Sequence, residues 1–234
     1  MDDRCIALYD SGVGGFNLLY NLSRSFPCEN YIYFSDRKNF PYGNKTKEEI
    51  SELAREKTNA ILKFAPKAIV FACNTLSTSV FDEYKTFPVR VFGVRPKIRK
   101  GEKTLVVCTR RTAESDYIKD LLKGGERIDV LPADNLAEEI ENYIRGGEKP
   151  NIAKRFKGIK RGYDAVILGC THYSYLKKEF ADLFPLSRVT DGTEETFIKL
   201  QGFIPTYETA RQSGKIFFAD EDDKRCFNRI YRGF

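Results

Sequence analysis

The stretch 68–75 reads AIVFACNT, and the stretch 165–172, which begins 97 residues further along the chain, reads AVILGCTH. Each starts with an apolar, β-branched run of strand length and continues with a small residue, a cysteine and polar residues. Buried parallel strands have this composition, and open α/β sheets bind ligands just beyond the carboxyl ends of such strands. The repeat therefore predicts two thiols, Cys73 and Cys170, at equivalent strand ends, where they could flank one small molecule.

Alternating strand and helix patterns run through the rest of the chain. Strands are predicted at 5–9, 31–34, 68–72, 88–92, 104–108, 127–131, 164–168, 188–190 and 216–219. This alternation indicates an α/β fold with mainly parallel sheets and helices on both faces. The pattern restarts near residue 95, so we expect two similar lobes, 1–94 and 95–202, with the active site in the cleft between them. The segment from about 203 to 234 could cross back to the first lobe.

The composition is that of a globular protein. The chain has 234 residues, 41% of them hydrophobic and 31% charged, which is enough to bury a sizeable core. The sequence shows neither a leader at its N-terminus nor an apolar run near the ~18–20 residues of a membrane span, so we expect a cytoplasmic protein without membrane association. Basic clusters at 95–103 and 154–161 contribute to the net charge of +6. We interpret them as solvated faces rather than as a nucleic-acid site, and the charge could favour an anionic substrate.

The cysteine and histidine content limits the chemistry further. None of the six cysteines forms a Cys-x-x-Cys pair, so a disulfide framework or zinc site is not expected in a cytosolic protein. His172 is the sole histidine, which excludes a multi-histidine metal centre. We therefore predict no metal. A thiolate is both a base and a nucleophile, and a following helix N-terminus is expected to lower the pKa of Cys73 and Cys170.

Asp10 and His172 are the natural polar partners of these thiols. Asp10 ends the first predicted strand and opens the turn 10–15, DSGVGG, which could hold an anion or could be a capped tight turn. His172, two residues from Cys170, could exchange a proton with its thiol. A Cys/His/Asp hydrolase would use the same residue types, but it leaves the second cysteine without a role.

Five motifs, taken together, resemble the aspartate/glutamate racemase family, and most closely its glutamate-specific members. They occur in the family's order from residue 10 to residue 173. The motifs are DSGVGG at 10–15, PYG at 41–43, ACNT at 72–75, Thr109-x-x-Thr112 with Ser115, and GCTHY at 169–173.

The resemblance implies a cofactor-independent isomerase that interconverts L- and D-glutamate by proton transfer at the α-carbon and supplies D-glutamate for peptidoglycan. It also implies a homodimer. Cys73 and Cys170 would be the two bases, with Cys73 acting on the D enantiomer, and Asp10 and His172 would assist them. The substrate site would be lined by Ser11, Pro41, Tyr42, Gly43, Asn74, Thr75, Thr112 and Thr171. The family's further acidic group, in a Pro-Leu-Val-Glu stretch, has Glu138 as its possible counterpart here.

Other functions remain open at this point. An aspartate racemase or another racemase of the same family would use the same two thiols. Among these enzymes, the polar residues Ser11, Asn74, Thr75 and Thr171 favour one that acts on an amino acid. A non-catalytic anion-binding protein could use the glycine-rich turn, but it would not need both cysteines.

Overall fold

A computed structural model describes residues 4–125, 127–204 and 213–231 of the chain. Its strands are β1 (Ile6–Asp10), β2 (Tyr31–Ser35), β3 (Ala68–Phe71), β4 (Arg90–Gly93), β5 (Thr104–Cys108), β6 (Ile128–Pro132), β7 (Ala165–Gly169), β8 (Arg188–Asp191) and β9 (Ile216–Phe218). Its α-helices are α1 (Phe16–Ser25), α2 (Lys47–Leu62), α3 (Asn74–Val80), α4 (Arg110–Ala113), α5 (Asp116–Lys123), α6 (Leu136–Ile144), α7 (Ile152–Arg155), α8 (Lys177–Leu183), α9 (Thr193–Gln201) and α10 (Glu221–Ile230). Short 3-10 helices cover Arg37–Asn39, Tyr42–Asn44, Phe81–Tyr84 and Thr171–Leu176.

The strands form two parallel sheets. The first has the order β4-β3-β1-β2-β9, and the second has the order β6-β5-β7-β8. Every strand pair among the described residues is parallel, with helices in the connections. The predicted α/β class, with two mainly parallel sheets, is therefore confirmed.

The C-terminal strand belongs to the first sheet. β9 pairs in parallel with β2, with Phe217 opposite Ile32. The segment predicted at about 203–234 thus includes a strand at the edge of the first sheet, although 205–212 and 232–234 lie outside the described residues. The lobe boundaries at 94 and 202 remain our proposal.

The central strands are buried because helices cover both faces of each sheet. All five residues of β1, IALYD, and all five of β7, AVILG, are buried. Such continuous apolar runs are typical of internal parallel strands. They place the carboxyl ends of β1, β3 and β7, where the candidate residues follow, at the ligand-binding edges of the sheets.

Two predicted helices differ from those observed. The sequence pattern after Cys73 predicts a helix that ends near Thr86, but α3 ends at Val80 and a 3-10 turn follows. Thr78 donates its hydroxyl hydrogen bond to the carbonyl oxygen of Asn74, a back-bond that weakens regular helix. The helix expected directly after Cys170 is a 3-10 helix over Thr171–Leu176, and α8 begins only after it.

Arg95 lies in the connection between the sheets and contacts elements on both sides. Its guanidinium lies 4.6 Å from the ring centroid of Phe81, which follows α3, and 4.7 Å from that of Tyr117, on α5. Cation–π contacts of this kind are worth about 0.5–2 kcal/mol. They help to hold the two halves together beside the connection.

Candidate active site

Cys73 lies at the N-terminus of α3, two residues beyond β3, and is 5% exposed. Its Sγ atom lies 3.6 Å from the hydroxyl oxygen of Ser11, which follows β1. β1 and β3 are neighbours in the first sheet, so their parallel pairing brings these two side chains to the same edge. The first sheet thus presents one thiol with a hydroxyl partner.

Cys170 follows β7 directly and is 6% exposed. Its Sγ atom lies 3.9 Å from Nδ1 of His172, and the Nε2 atom of the same imidazole lies 2.7 Å from Oε2 of Glu141 on α6. The 3-10 turn after Cys170 is what folds His172 back toward the thiol. The second sheet thus presents a thiol with an imidazole, and the imidazole has its own carboxylate.

Asp10 joins the two halves of the site. Its carboxylate accepts a hydrogen bond of 2.7 Å from the backbone N–H of Gly12 and one of 3.2 Å from the hydroxyl of Thr171, next to Cys170. Asp10 is completely buried. Residues from both sheets therefore meet in one buried polar network.

Two glycines of the 10–15 turn allow this close approach. A Cβ at Gly14 would lie 2.5 Å from Oγ1 of Thr171 and 2.6 Å from Nδ1 of His172. A Cβ at Gly12 would lie 2.6 Å from Oε2 of Glu141. Real Cβ atoms do not come so close to other atoms, so these positions accept glycine because the second sheet's polar residues pack against them.

Burial and charge set the protonation of these groups. Burial raises the pKa of Asp10 to about 7, against the opposing effects of His172 and Gly12. Burial alone would lower the pKa of His172, but its hydrogen bonds to Cys170 and Glu141 outweigh burial and raise that pKa well above its ordinary value. For the carboxyl of Glu141, burial acts in the opposite direction and would raise the pKa, but the hydrogen bond and charge of His172 lower it to about 2. His172 and Glu141 therefore form an ion pair at neutral pH.

The expectation that a helix N-terminus lowers the pKa of Cys73 is wrong for this structure. Burial raises that pKa to about 12, and the nearby charges of Asp10 and Cys170 raise it further than the backbone and Ser11 lower it. A hydrogen bond at the start of a seven-residue helix does not outweigh complete desolvation. Negative charge on the Cys170 sulfur is therefore one of the causes that keep Cys73 protonated.

The predicted substrate-binding residues fall into several environments. Ser11 contacts Cys73, and Thr171 donates a hydrogen bond to Asp10. Thr75 and Thr112 interact with each other and with Thr109, through hydroxyl contacts of 2.9–3.3 Å. This hydroxyl cluster connects α3 of the first sheet to α4 of the second.

The remaining predicted substrate-binding residues have partners within the protein. The amide of Asn74 donates a hydrogen bond of 3.3 Å to the carbonyl oxygen of Val94. The hydroxyl of Tyr42 donates to Asp36 at 2.6 Å. Gly43 lies against Thr109, with only 2.9 Å between a would-be Cβ and the threonine Cβ. Pro41 precedes these residues, in a cis peptide bond with Phe40.

The acidic group next to His172 is Glu141, which the sequence analysis did not name. The predicted counterpart, Glu138, accepts a hydrogen bond of 3.1 Å from the amide of Asn44 at the surface. The two glutamates are three residues apart on α6, which is close to one helical turn. The buried position on this helix could have been found from its apolar pattern, since Ile140 and Ile144 flank Glu141 on the buried face.

Two further observations on the described residues concern metal binding and membrane crossing. No group of three or more His, Cys, Asp or Glu side chains among them is arranged to hold a metal ion. Within the same residues, no helix combines the length and the apolar character that crossing a bilayer requires.

Two parallel sheets that meet at one buried polar site, each with a cysteine, are the arrangement expected of an α/β racemase of the aspartate/glutamate type. The curated glutamate racemase of Clostridium acetobutylicum is 33% identical to this chain over 94% of the chain and 93% of its own length. That of Campylobacter curvus is 31% identical, over 92% and 90% respectively. The chain therefore belongs to the glutamate racemase family, whose members are isomerases.

Solved structures agree with this assignment. The glutamate racemase of Campylobacter jejuni subsp. jejuni matches with a TM-score of 0.81 and 25% identity, over 97% of each chain. That of Aquifex pyrophilus matches with a TM-score of 0.75 and 28% identity, over 97% of this chain and 94% of its own. No protein-family model matches the chain.

Proposed function

We propose that this chain interconverts L- and D-glutamate by a two-thiol mechanism that needs no added cofactor. The observation that carries the proposal is the pair of buried cysteines at matching strand ends, Cys73 with Ser11 and Cys170 with His172. Inverting an α-carbon requires that a proton leave one face and that another arrive at the opposite face. Two acid–base groups on opposite sides accomplish this without turning the substrate.

The two thiols differ in their resting state in a way that suits one direction of the reaction. The raised pKa of Cys73, about 12, keeps it a neutral thiol that can donate a proton. The His172 imidazolium next to Cys170 stabilises negative charge on that sulfur. From L-glutamate, Cys170 as thiolate would take the α-proton, and Cys73 would give its own proton to the other face. The reverse reaction needs the opposite protonation of the pair.

The same buried environment supports the intermediate stage of the reaction. Charge that develops on the substrate as the α-proton leaves must be stabilised by fixed donors in a site without bulk water. The hydroxyls of Ser11, Thr75 and Thr171 would supply such donors, and Asp10 would hold the substrate's ammonium group. Asn74, Thr112 and residues 41–43 complete the proposed lining of the site.

We also propose that the enzyme is a cytoplasmic homodimer, that it neither enters membranes nor binds nucleic acid, and that its D-glutamate serves peptidoglycan synthesis and hence cell shape. All six cysteines are free, and such thiols persist where the compartment is reducing. Light scattering after gel filtration measures the dimer directly. A particle with the 26.9 kDa mass of one chain would rule the dimer out.

Racemisation in heavy water tests the mechanism. L-glutamate is incubated with the protein and without cofactor, and both enantiomers are separated early in the reaction and analysed by mass. We expect D-glutamate to carry deuterium at Cα while unreacted L-glutamate stays largely protiated, and the mirror result from the D side. Product that keeps its original α-hydrogen would exclude two separate bases, and no change in circular dichroism would exclude racemisation itself.

A further inference from the structure

Both carboxylate oxygens of Glu141 are occupied, and each points in a different direction. Oε2 lies 2.7 Å from His172 and accepts a hydrogen bond of 3.0 Å from the backbone N–H of Val13. Oε1 accepts one of 2.8 Å from Nε of Arg145, at the end of the same helix. The carboxylate is therefore fixed in rotation, and Arg145 is the side chain that holds its second oxygen.

Arg145 is itself held by Asp223 on the C-terminal helix α10. Its second guanidinium nitrogen donates to Oδ1 of Asp223 at 2.9 Å, and the hydroxyl of Ser35 on β2 donates to the other oxygen. The Asp223 side chain is 1% exposed. A carboxylate buried to this degree is rare unless it is paired, so the ion pair with Arg145 is a built feature of the fold.

α10 also contacts the C-terminal end of α6, the helix that carries Glu141. The guanidinium of Arg229 donates to the carbonyl oxygens of Ile144 and Arg145, and the thiol of Cys226 lies 3.7 Å from the same oxygen of Ile144. These contacts occupy the last carbonyl groups of α6, which have no partner within the helix. The position of α6, and with it that of Glu141, depends on α10.

We infer that Arg145 and Asp223 are positioning residues of the racemase, which hold Glu141 against His172 and thereby control proton transfer at Cys170 but not at Cys73. The charges alternate from Asp223 through Arg145, Glu141 and His172 to the Cys170 sulfur. Within the described residues, no hydrogen bond joins the Cys73 thiol to this series; its hydroxyl partner is Ser11. This inference rests on the proposed two-thiol function and adds to it a role for the C-terminal helix.

Removing one member should affect the next in a defined order. If the charge of Asp223 is lost, Arg145 keeps only one anchor, and its guanidinium can turn away from Glu141. If Arg145 is lost, two buried carboxylates remain without the cation between them, and one of them must take up a proton. In both cases the hydrogen bond that His172 donates to Glu141 weakens, and the imidazole supports Cys170 less well.

The test compares Asp223→Asn with Asp222→Asn. The first variant keeps the shape of a buried side chain, and the second changes a half-exposed neighbour on the same helix that pairs with surface arginines. We expect Asp223→Asn to lower kcat on the order of tenfold with little change in KM, because a charge-assisted hydrogen bond is lost two steps from the thiol. Asp222→Asn should stay within about twofold of the parent.

Isotope effects separate a positioning role from a general loss of structure. The α-deuterated enantiomers are assayed with the parent enzyme and with each variant. In Asp223→Asn, the Cys170 step should limit the rate more strongly, so the isotope effect on kcat/KM should rise from α-deuterated L-glutamate and fall from α-deuterated D-glutamate. A protein that is merely less stable would lose activity with the parent's isotope effects unchanged.

A second pair of variants covers the case in which Asp223→Asn folds poorly. Arg145→Lys keeps the charge and should retain part of the activity, whereas Arg145→Met should lose on the order of a hundredfold, with the same divergence of isotope effects. Parent-like kcat in both Asp223→Asn and Arg145→Met, or unchanged isotope effects in the slower variants, would overturn the inference. A parent enzyme that does not racemise glutamate would instead overturn the proposed function.

Discussion

Nε2 of His172 lies 2.7 Å from Oε2 of Glu141, and both side chains are almost completely buried. The pair joins the turn after β7 to helix α6, and the same carboxylate oxygen accepts the N–H of Val13 from the first sheet. A buried imidazole is normally neutral, and the contacts with Cys170 and with this carboxylate together keep this one charged. The charge of His172 is therefore a property of the closed arrangement of both sheets.

The first prediction concerns the protonation of His172, which is the only histidine of the chain and hence gives a single set of imidazole NMR signals. Because the Cys170 and Glu141 contacts raise its pKa well above the ordinary value of 6.5, we expect the imidazolium to persist well above that pH. The folded-state pKa is raised, so the ion pair stabilises the protein fully below the ordinary pKa of 6.5, and this contribution is lost as pH rises through the folded value.

Glu141→Gln should lower the pKa of His172, because the imidazolium loses its carboxylate partner and burial is then opposed by Cys170 alone. The same variant should reduce kcat by about 10²–10³. Glu138→Gln is the matched control on the same helix and should leave both the titration and the activity as in the parent. If Glu138→Gln moved the titration and Glu141→Gln did not, the sequence-based choice of Glu138 would be restored.

The acidic residue next to His172 is Glu141, whereas the predicted Glu138 lies at the surface. The pattern over about 135–144 predicts a helix, and α6 covers Leu136–Ile144, but the prediction took Glu138 rather than Glu141 as the acidic residue of the site. The N-cap residue of α6 is Asn135, which adopts a left-handed backbone conformation with φ of 60°. The apolar pattern of α6 marks Glu141 as buried, but that this buried face meets His172 depends on a contact between segments distant in the sequence.

The strands, by contrast, were predictable because burial on both faces leaves a direct signal. β3 and β7 are continuous apolar runs, and the cysteines that follow them lie at the sheet edge as expected. The raised pKa of Cys73 was not predictable, because it depends on how completely the folded protein buries the thiol. Contacts between distant segments decide such properties, and periodicity reports only the local ones.

The second prediction concerns the raised pKa of Asp10, about 7 against an ordinary 3.8. The folded protein favours the neutral carboxyl, so its contribution to stability is complete below pH ~4 and is lost as pH rises through about 7. Asp10→Asn, which is neutral at every pH, should therefore increase the free energy of unfolding at pH 8 by ~1–3 kcal/mol and change it little at pH 4.

The activity of Asp10→Asn should fall, although the variant is more stable than the parent at pH 8. Asp10→Asn should lower kcat/KM at least about a hundredfold, since the carboxylate holds the substrate's ammonium group in our proposal. Urea unfolding at both pH values measures the stability, and Asp120→Asn, at the surface, provides the control. Equal effects of Asp10→Asn at pH 4 and pH 8 would show that Asp10 is not a destabilising charge in the folded protein.

The third prediction concerns the close packing at Gly14. An alanine there would place its Cβ 2.6 Å from Nδ1 of His172, so the turn or the imidazole must move. We expect Gly14→Ala to lower kcat/KM by about 10–100-fold, because small displacements of acid–base groups are costly. Gly202→Ala, whose Cβ would meet nothing nearer than 3.7 Å, should behave as the parent. Parent-like kinetics of Gly14→Ala would mean that the two sheets do not need this approach.

The fourth prediction concerns substrate size. Because the site is closed and buried, aspartate would leave the space of one methylene unfilled, which is typically worth ~1–3 kcal/mol. We expect kcat/KM for glutamate to exceed that for aspartate by about 10–200-fold, measured by circular dichroism with both enantiomers of each. An equal or higher value for aspartate would move the assignment to an aspartate-specific member of the family.

The last prediction separates the two thiols. Cys73→Ala and Cys170→Ala should each abolish racemisation, while Cys5→Ala and Cys28→Ala, at half-buried positions outside the site, should not. Each inactive variant keeps one thiol, and that thiol can still remove a proton from its own face and return a deuteron from heavy water.

The structure therefore predicts complementary half-reactions. Cys73→Ala should exchange the α-proton of L-glutamate only, because Cys170 remains with His172. Cys170→Ala should exchange that of D-glutamate only, through Cys73. Proton NMR in heavy water follows both exchanges without requiring turnover. If one variant exchanged both enantiomers, or racemised near the parent rate, a single group would serve both faces and the two-thiol mechanism would not hold for this enzyme.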